Sequence, residues 1–152
     1  KDHSTAWKRF YTQRRSPFDD LLDLTQNEGI AYYLSLDQIG RGYLPPDWYE
    51  KTREAFSTFN ANARELFSRS LTRRRASDII RTANMSGYWE SYGSMTGMFI
   101  AREIDLKLGR AALIETISSG PYEMFKLYIS LTERDSNLPA LNKVILTAVS
   151  AR

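Results

Sequence analysis

Residues 16–40 decide the fold class, and they read SPFDDLLDLTQNEGIAYYLSLDQIG. Ser16-Pro17 is a strong helix start, because serine is a good N-cap and proline suits the first helical position. Asp19-Asp20 place negative charge in the first turn, where the helix dipole favours it. The pattern therefore predicts one long helix that reaches about Gln38 and is ended by Gly40.

The rest of the sequence also reads as helices, separated by glycine, proline and serine. The predicted segments are 4–14, 46–71 (expected to be the longest), 77–83, 88–108, 111–117, 120–128 and a last one beginning at 137–139. No segment shows the sustained alternation that is typical of a strand. We therefore expect an all-α fold, a single compact bundle of five to eight helices.

The composition is that of an ordinary globular protein, with 152 residues, 42% of them hydrophobic and 26% charged. This length indicates one domain, residues 1–152, with a core of its own. No apolar run approaches the length of a membrane-spanning helix, so we expect no membrane partner. Because the chain begins with Lys1 and not with Met, we expect it to be a piece of a longer polypeptide.

Residue counts restrict the chemistry that the chain can perform by itself. There is no cysteine and a single histidine, His3. This excludes a disulfide framework, a thiolate nucleophile, a cysteine-based zinc site and a two-histidine metal site made by these residues alone.

The net charge of +3 is a small surplus, and its one dense cluster is Arg73-Arg74-Arg75. Arg64, Arg69 and Arg81 lie nearby in the sequence. A solvated helix end accounts for such a cluster, and nucleic acid is not an expected partner.

Glu28 and Gly29 are unusual residues in the long helix. On a helical projection, Glu28 falls in the middle of the less polar face, where an unpaired carboxylate is costly. Gly29 costs helix propensity, which is tolerable where another backbone or a substrate approaches closely. Glu28 is therefore a candidate metal ligand and Gly29 a candidate substrate-binding residue. The alternative is an ion pair between Glu28 and an arginine such as Arg102, with Gly29 relieving helix crowding.

A second unusual segment lies in the predicted helix 88–108. Gly93, Gly97 and Ala101 repeat every four residues, which makes a shallow groove where another helix can approach. Polar groups, including Tyr92, lie beside this groove.

The stretch Asn27-Glu28-Gly29-Ile30-Ala31 resembles the Asn-Glu-Gly-apolar-Ala element that carries the third zinc ligand in gluzincin metallopeptidases. More broadly, residues 21–131 are similar to the C-terminal part of zinc-dependent peptidases of bacterial families. There a Glu-Gly-x-Ala helix is followed by a Tyr/Gly/Met-rich helix and a Gly-Pro-led helix, here 88–108 and 120–128.

The resemblance implies a peptide substrate and zinc, with Glu28 as the third zinc ligand. It also implies a tyrosine that donates a hydrogen bond to the oxyanion, for which Tyr92 is the first candidate and Tyr88 the second. The sequence departs from gluzincins in lacking His-Glu-x-x-His, whose histidines would fall on Thr5 and Arg9 at the short spacing of the aminopeptidase branch.

Three interpretations of the missing motif follow. The motif lies upstream in the same polypeptide, or His3 is its second histidine, or the fold has lost its metal. In the last case the chain is a non-catalytic helical interaction or scaffold domain. In the first two cases zinc is expected, and only in the full-length protein. In every case this chain alone should not hydrolyse peptides.

Overall fold

The computed structural model describes residues 5–13, 15–85 and 90–152, apart from the side chains of residues 6 and 7. Within these ranges it contains eight α-helices and no strand. They are α1 (Thr5–Thr12), α2 (Pro17–Ile39), α3 (Trp48–Leu66), α4 (Arg73–Thr82), α5 (Tyr92–Leu108), α6 (Arg110–Ser119), α7 (Pro121–Arg134) and α8 (Lys143–Ser150). The predicted all-α bundle of five to eight helices is confirmed.

Helix α2 begins as its sequence predicts. The backbone N–H of Asp19 donates to the Ser16 hydroxyl over 3.2 Å, and the Ser16 N–H donates to the Asp19 carboxylate over 2.6 Å. This reciprocal capping box satisfies two donors that the first turn would otherwise leave unpaired. The helix ends at Ile39, directly before Gly40.

Several predicted boundaries differ from the structure, and α7, predicted to end at about Tyr128, continues to Arg134. Helix α3 ends at Leu66, so the 23-residue α2 is longer than it. Helix α4 begins earlier than predicted, because the Thr72 hydroxyl accepts the Arg75 N–H over 3.1 Å and so caps the helix. The last helix begins later, because the Asn142 side chain accepts the Ile145 N–H over 3.0 Å. The two shifted starts reflect a choice among several possible N-caps.

Helix α5 lies at the centre of the bundle. Every residue of 92–101 is buried, and the helix packs against α2, α3, α6 and α7. The Phe99 ring contacts Trp48, Phe56 and Tyr128, with centroids 6.2, 5.5 and 6.3 Å apart. Although this segment is buried throughout, no helix of the described residues is long and apolar enough to cross a membrane.

Candidate functional site

The candidate metal ligand, Glu28, lies in the middle of α2. Its side chain is half-buried and makes no hydrogen bond or ion pair with any residue that the structure describes. The alternative ion pair with Arg102 does not form, because the Arg102 guanidinium contacts the Glu103 carboxylate at 3.0 Å. The Glu28 carboxylate is thus free of partners from the described part of the chain.

The less polar face on which the helical projection places Glu28 is not the face of α2 that is buried. Ala31 and Ser35, its neighbours on that face, are exposed. The buried positions are instead Phe18, Asp19, Leu21, Leu22, Thr25, Gln26, Gly29, Ile30, Tyr33 and Leu36. The buried face is therefore the one that contains Gly29, where α5 approaches, and not the less polar face of the helical projection. Because Glu28 keeps contact with solvent, its ionised form needs no partner within the protein.

Gly29 and Gly97 meet where α2 crosses α5. A Cβ atom placed on Gly29 would lie 2.2 Å from the Gly97 carbonyl carbon, and one on Gly97 would lie 1.9 Å from the Thr25 carbonyl oxygen. The two backbones are therefore in direct contact, as the four-residue glycine spacing of α5 predicts. This contact accounts for both glycines, and a substrate-binding role for Gly29 stays a prediction.

Tyr92, the first candidate for an oxyanion donor, opens α5 and is only 8% exposed. Its hydroxyl donates to the Ile79 carbonyl oxygen over 2.7 Å, and burial raises the pKa of the phenol to about 12. In this structure the phenolic proton of Tyr92 is therefore already used in a hydrogen bond to α4. The second candidate, Tyr88, and His3 lie outside the described residues, so their roles stay predictions.

Replacing Tyr92 by phenylalanine tests the bond to α4. We expect Tyr92→Phe to lower the free energy of unfolding by about 1 kcal/mol, because a buried carbonyl loses a donor. The melting temperature should fall by about 2–4 °C, measured by circular dichroism. Tyr49→Phe is the control, since that side chain is 66% exposed, and it should leave the melting temperature unchanged. An unchanged melting temperature for Tyr92→Phe would show that the bond contributes nothing.

A partly buried polar cluster that the sequence did not predict joins the C-terminal end of α2 to α5 and α6. Arg110 binds the Asp105 carboxylate through two nitrogens, at 3.0 and 2.7 Å, and also contacts Asp37 at 2.8 Å. The Tyr33 hydroxyl donates to the same Asp105 carboxylate over 2.5 Å. Tyr33 and Asp37 share a helix face at a spacing of four, but no sequence signal links them to residues about seventy positions away.

A second cluster joins the start of α2 to α7. Asp19 is 3% exposed, and its carboxylate accepts the Tyr122 hydroxyl proton over 2.6 Å and contacts Arg152 at 3.4 Å. Burial raises the pKa of Asp19, but hydrogen bonds from Tyr122 and Ser16 more than offset this, so the pKa lies below its ordinary value. Helix α2 is therefore anchored at both ends and at Gly29, which fixes the backbone that carries Glu28.

The described residues hold no group of three histidine, cysteine or acidic side chains that could bind a metal ion. A protein zinc site normally uses three or four such ligands. Glu28 by itself therefore fits as one member of a ligand set, and the described part of the chain does not complete that set.

Comparison with known proteins agrees with the resemblance at its coarser level. The sequence model of a family described as "putative zinc dependent peptidase (DUF5700)" matches residues 2–137. The search of curated proteins and the search of solved structures each found no match.

Proposed function

Since the chain belongs to this family of putative zinc-dependent peptidases, we propose that it is the helical part of a zinc peptidase and that Glu28 donates one ligand to the metal. The other ligands come from a His-Glu-x-x-His helix elsewhere in the polypeptide. When bound, zinc acts as a Lewis acid toward the carbonyl group of a peptide bond.

One observation carries the proposal: the half-buried Glu28 carboxylate has no partner among the described residues. A carboxylate in such a position retains its lone pairs for an outside cation. Its backbone is also held in place, because Gly29 is in contact with Gly97. A ligand on a rigid element meets a metal at lower cost in conformational entropy than one on a mobile loop.

The second part of the proposal is a tyrosine that stabilises the oxyanion. Tyr92 would have to exchange its hydrogen bond to Ile79 for one to the substrate, at the cost of leaving a buried carbonyl without that donor. Tyr88 is the other candidate. A tyrosine in this role would donate its proton only to the charge that develops in the transition state.

The test of the ligand role is Glu28→Gln in the full-length polypeptide. We expect zinc affinity to fall at least about tenfold, since even residues that only support a ligand cost this much. Zinc per polypeptide is measured by mass spectrometry after dialysis against a metal buffer, and helical circular dichroism should be unchanged.

Glu133→Gln is the matched control, because Glu133 is an exposed glutamate on α7. It should bind as much zinc as the wild type. Equal zinc in Glu28→Gln and wild type would show that Glu28 is not a ligand.

The second candidate function is a non-catalytic helical scaffold. It is favoured by the absence of a three-ligand group among the described residues. The same experiment separates the two, since a scaffold binds no zinc even in the wild-type full-length protein.

A further inference from the structure

An open groove of about 560 Å³ lies between α4 and the start of α2. Apolar residues and basic or polar residues both line it. We call the apolar ones, Pro17, Ala76 and Ile80, its floor, and the basic and polar ones, Arg73, Ser77 and Arg81, its rim. We call this the α4 groove.

The cations of the α4 groove are largely uncompensated. Arg73 is exposed and makes no ion pair within the described residues. Arg81 contacts Asp78 at 3.3 Å, but both side chains are exposed, so the pair is weak. Asp20 also borders the groove, and its carboxylate shares the Arg15 guanidinium with Asp23, at 2.8 and 2.9 Å. The rim therefore presents positive charge to any ligand.

Positive charge is concentrated at this end of the molecule. Residues 64–81 contain six arginines and two acidic residues, a net charge of +4. The remainder of the sequence has 15 basic and 16 acidic residues, a net charge of −1. The whole surplus of the protein thus lies in the segment that forms one wall of the groove.

The arginines of α4 also stand where a helix disfavours them. Arg73, Arg74 and Arg75 occupy its first three positions, and the first turn contains no acidic residue. Cations there oppose the helix dipole. Of the three, only Arg75 has its charge balanced by a described residue, through hydrogen bonds of 2.7 and 2.8 Å to the Glu65 carboxylate. Within the described residues, Arg73 and Arg74 thus stabilise the fold neither through the helix dipole nor through an ion pair.

We propose that the α4 groove docks a protein segment that carries acidic side chains next to apolar ones. A carboxylate matches the arginine fork through two parallel hydrogen bonds, and a leucine-sized side chain covers the floor. A nucleic-acid backbone would bind the arginines of the rim but leave the apolar floor uncovered. None of the described residues that line the groove is aromatic, so they offer no ring for a base to stack on. This proposal goes beyond the proposed function and does not rest on Glu28.

The test uses the full chain and a fluorescein-labelled peptide of six alternating Glu-Leu pairs, followed by fluorescence anisotropy in about 50 mM NaCl. We expect saturable binding that weakens as salt rises, because the rim charges are exposed. The double variant Arg73→Glu with Arg81→Glu should bind at least about tenfold more weakly. Its fold should persist, because at position 73 glutamate suits the helix N-terminus better than arginine does. At position 81 the change removes only an exposed ion pair with Asp78, which contributes little to stability.

The control is Arg53→Glu with Arg134→Glu, which changes the net charge equally at exposed positions on α3 and α7. It should bind within about twofold of the wild type, since it leaves the groove charges in place. A peptide with serine in place of leucine should bind more weakly than the Glu-Leu peptide. Equal loss in both double variants, or tighter binding of a twelve-residue oligothymidylate than of the peptide, would overturn the proposal.

Discussion

Gly97→Ala should lower the free energy of unfolding by about 3 kcal/mol or more, which is the upper end of the cost of overpacking a core. The new Cβ atom would lie 1.9 Å from the Thr25 carbonyl oxygen. That atom belongs to the backbone of a buried helix, so it cannot turn aside as a flexible side chain would. The alanine also gains about 1 kcal/mol of helix propensity, which is too little to compensate.

Urea unfolding followed by circular dichroism measures this effect, and the melting temperature should fall by roughly 6–12 °C. The control is Gly40→Ala, because a Cβ atom there meets nothing within 4 Å and its φ of 170° suits any residue. It should leave stability almost unchanged. Equal stability of Gly97→Ala and the wild type would mean that the two helices are not in backbone contact.

Asp105→Asn should lower the free energy of unfolding by about 2 kcal/mol at pH 7. Removing one partner of a buried ion pair costs about 3–5 kcal/mol. The effect should be smaller here, because Arg110 is 40% exposed and keeps its contact with Asp37 at 2.8 Å. Asp78→Asn is the control, since its pair with Arg81 is exposed, and it should cost less than about 0.5 kcal/mol.

The same substitution should also change the dependence of stability on pH. Burial raises the pKa of Asp105, but hydrogen bonds from Arg110 and Tyr33 more than offset it, so the folded-state pKa lies below its ordinary value. The stabilisation is then fully present above the unfolded pKa of about 3.9 and is lost as pH falls through the folded pKa.

Urea titrations at pH 7 and at about pH 3 test this dependence on either side of the unfolded pKa. The difference in stability between wild type and Asp105→Asn should be clearly smaller at the lower pH. A difference that does not change with pH would show that the Asp105 carboxylate is not the group responsible.

Much of the helical organisation could be predicted from short-range signals. Ser16-Pro17 and Gly40 mark the two ends of α2 because capping depends on groups within about four residues of each other. The later boundaries were less predictable, since Thr72 and Ser77 are both good caps. The structure uses Thr72, whose hydroxyl accepts the Arg75 N–H.

The candidate site was predictable in part. The sequence singled out Glu28 and Gly29. In the part of the chain that the structure describes, the Glu28 carboxylate has no partner and Gly29 lies at a helix crossing. The sequence could not show that Tyr92 is already bonded to the carbonyl oxygen of Ile79. That bond depends on how α4 and α5 pack, which a helical projection of either segment does not contain.

The sequence by itself determined the helical class and the start and end of α2, because these follow from local chemistry. The glycine spacing of α5 indicated where another helix could approach, and the tertiary structure decided that this helix is α2. The tertiary structure alone decided which face of α2 is buried and which partners Tyr33 and Asp19 have. Those outcomes depend on residues that are remote in the chain, such as Asp105 and Tyr122. Only packing brings them within hydrogen-bonding distance.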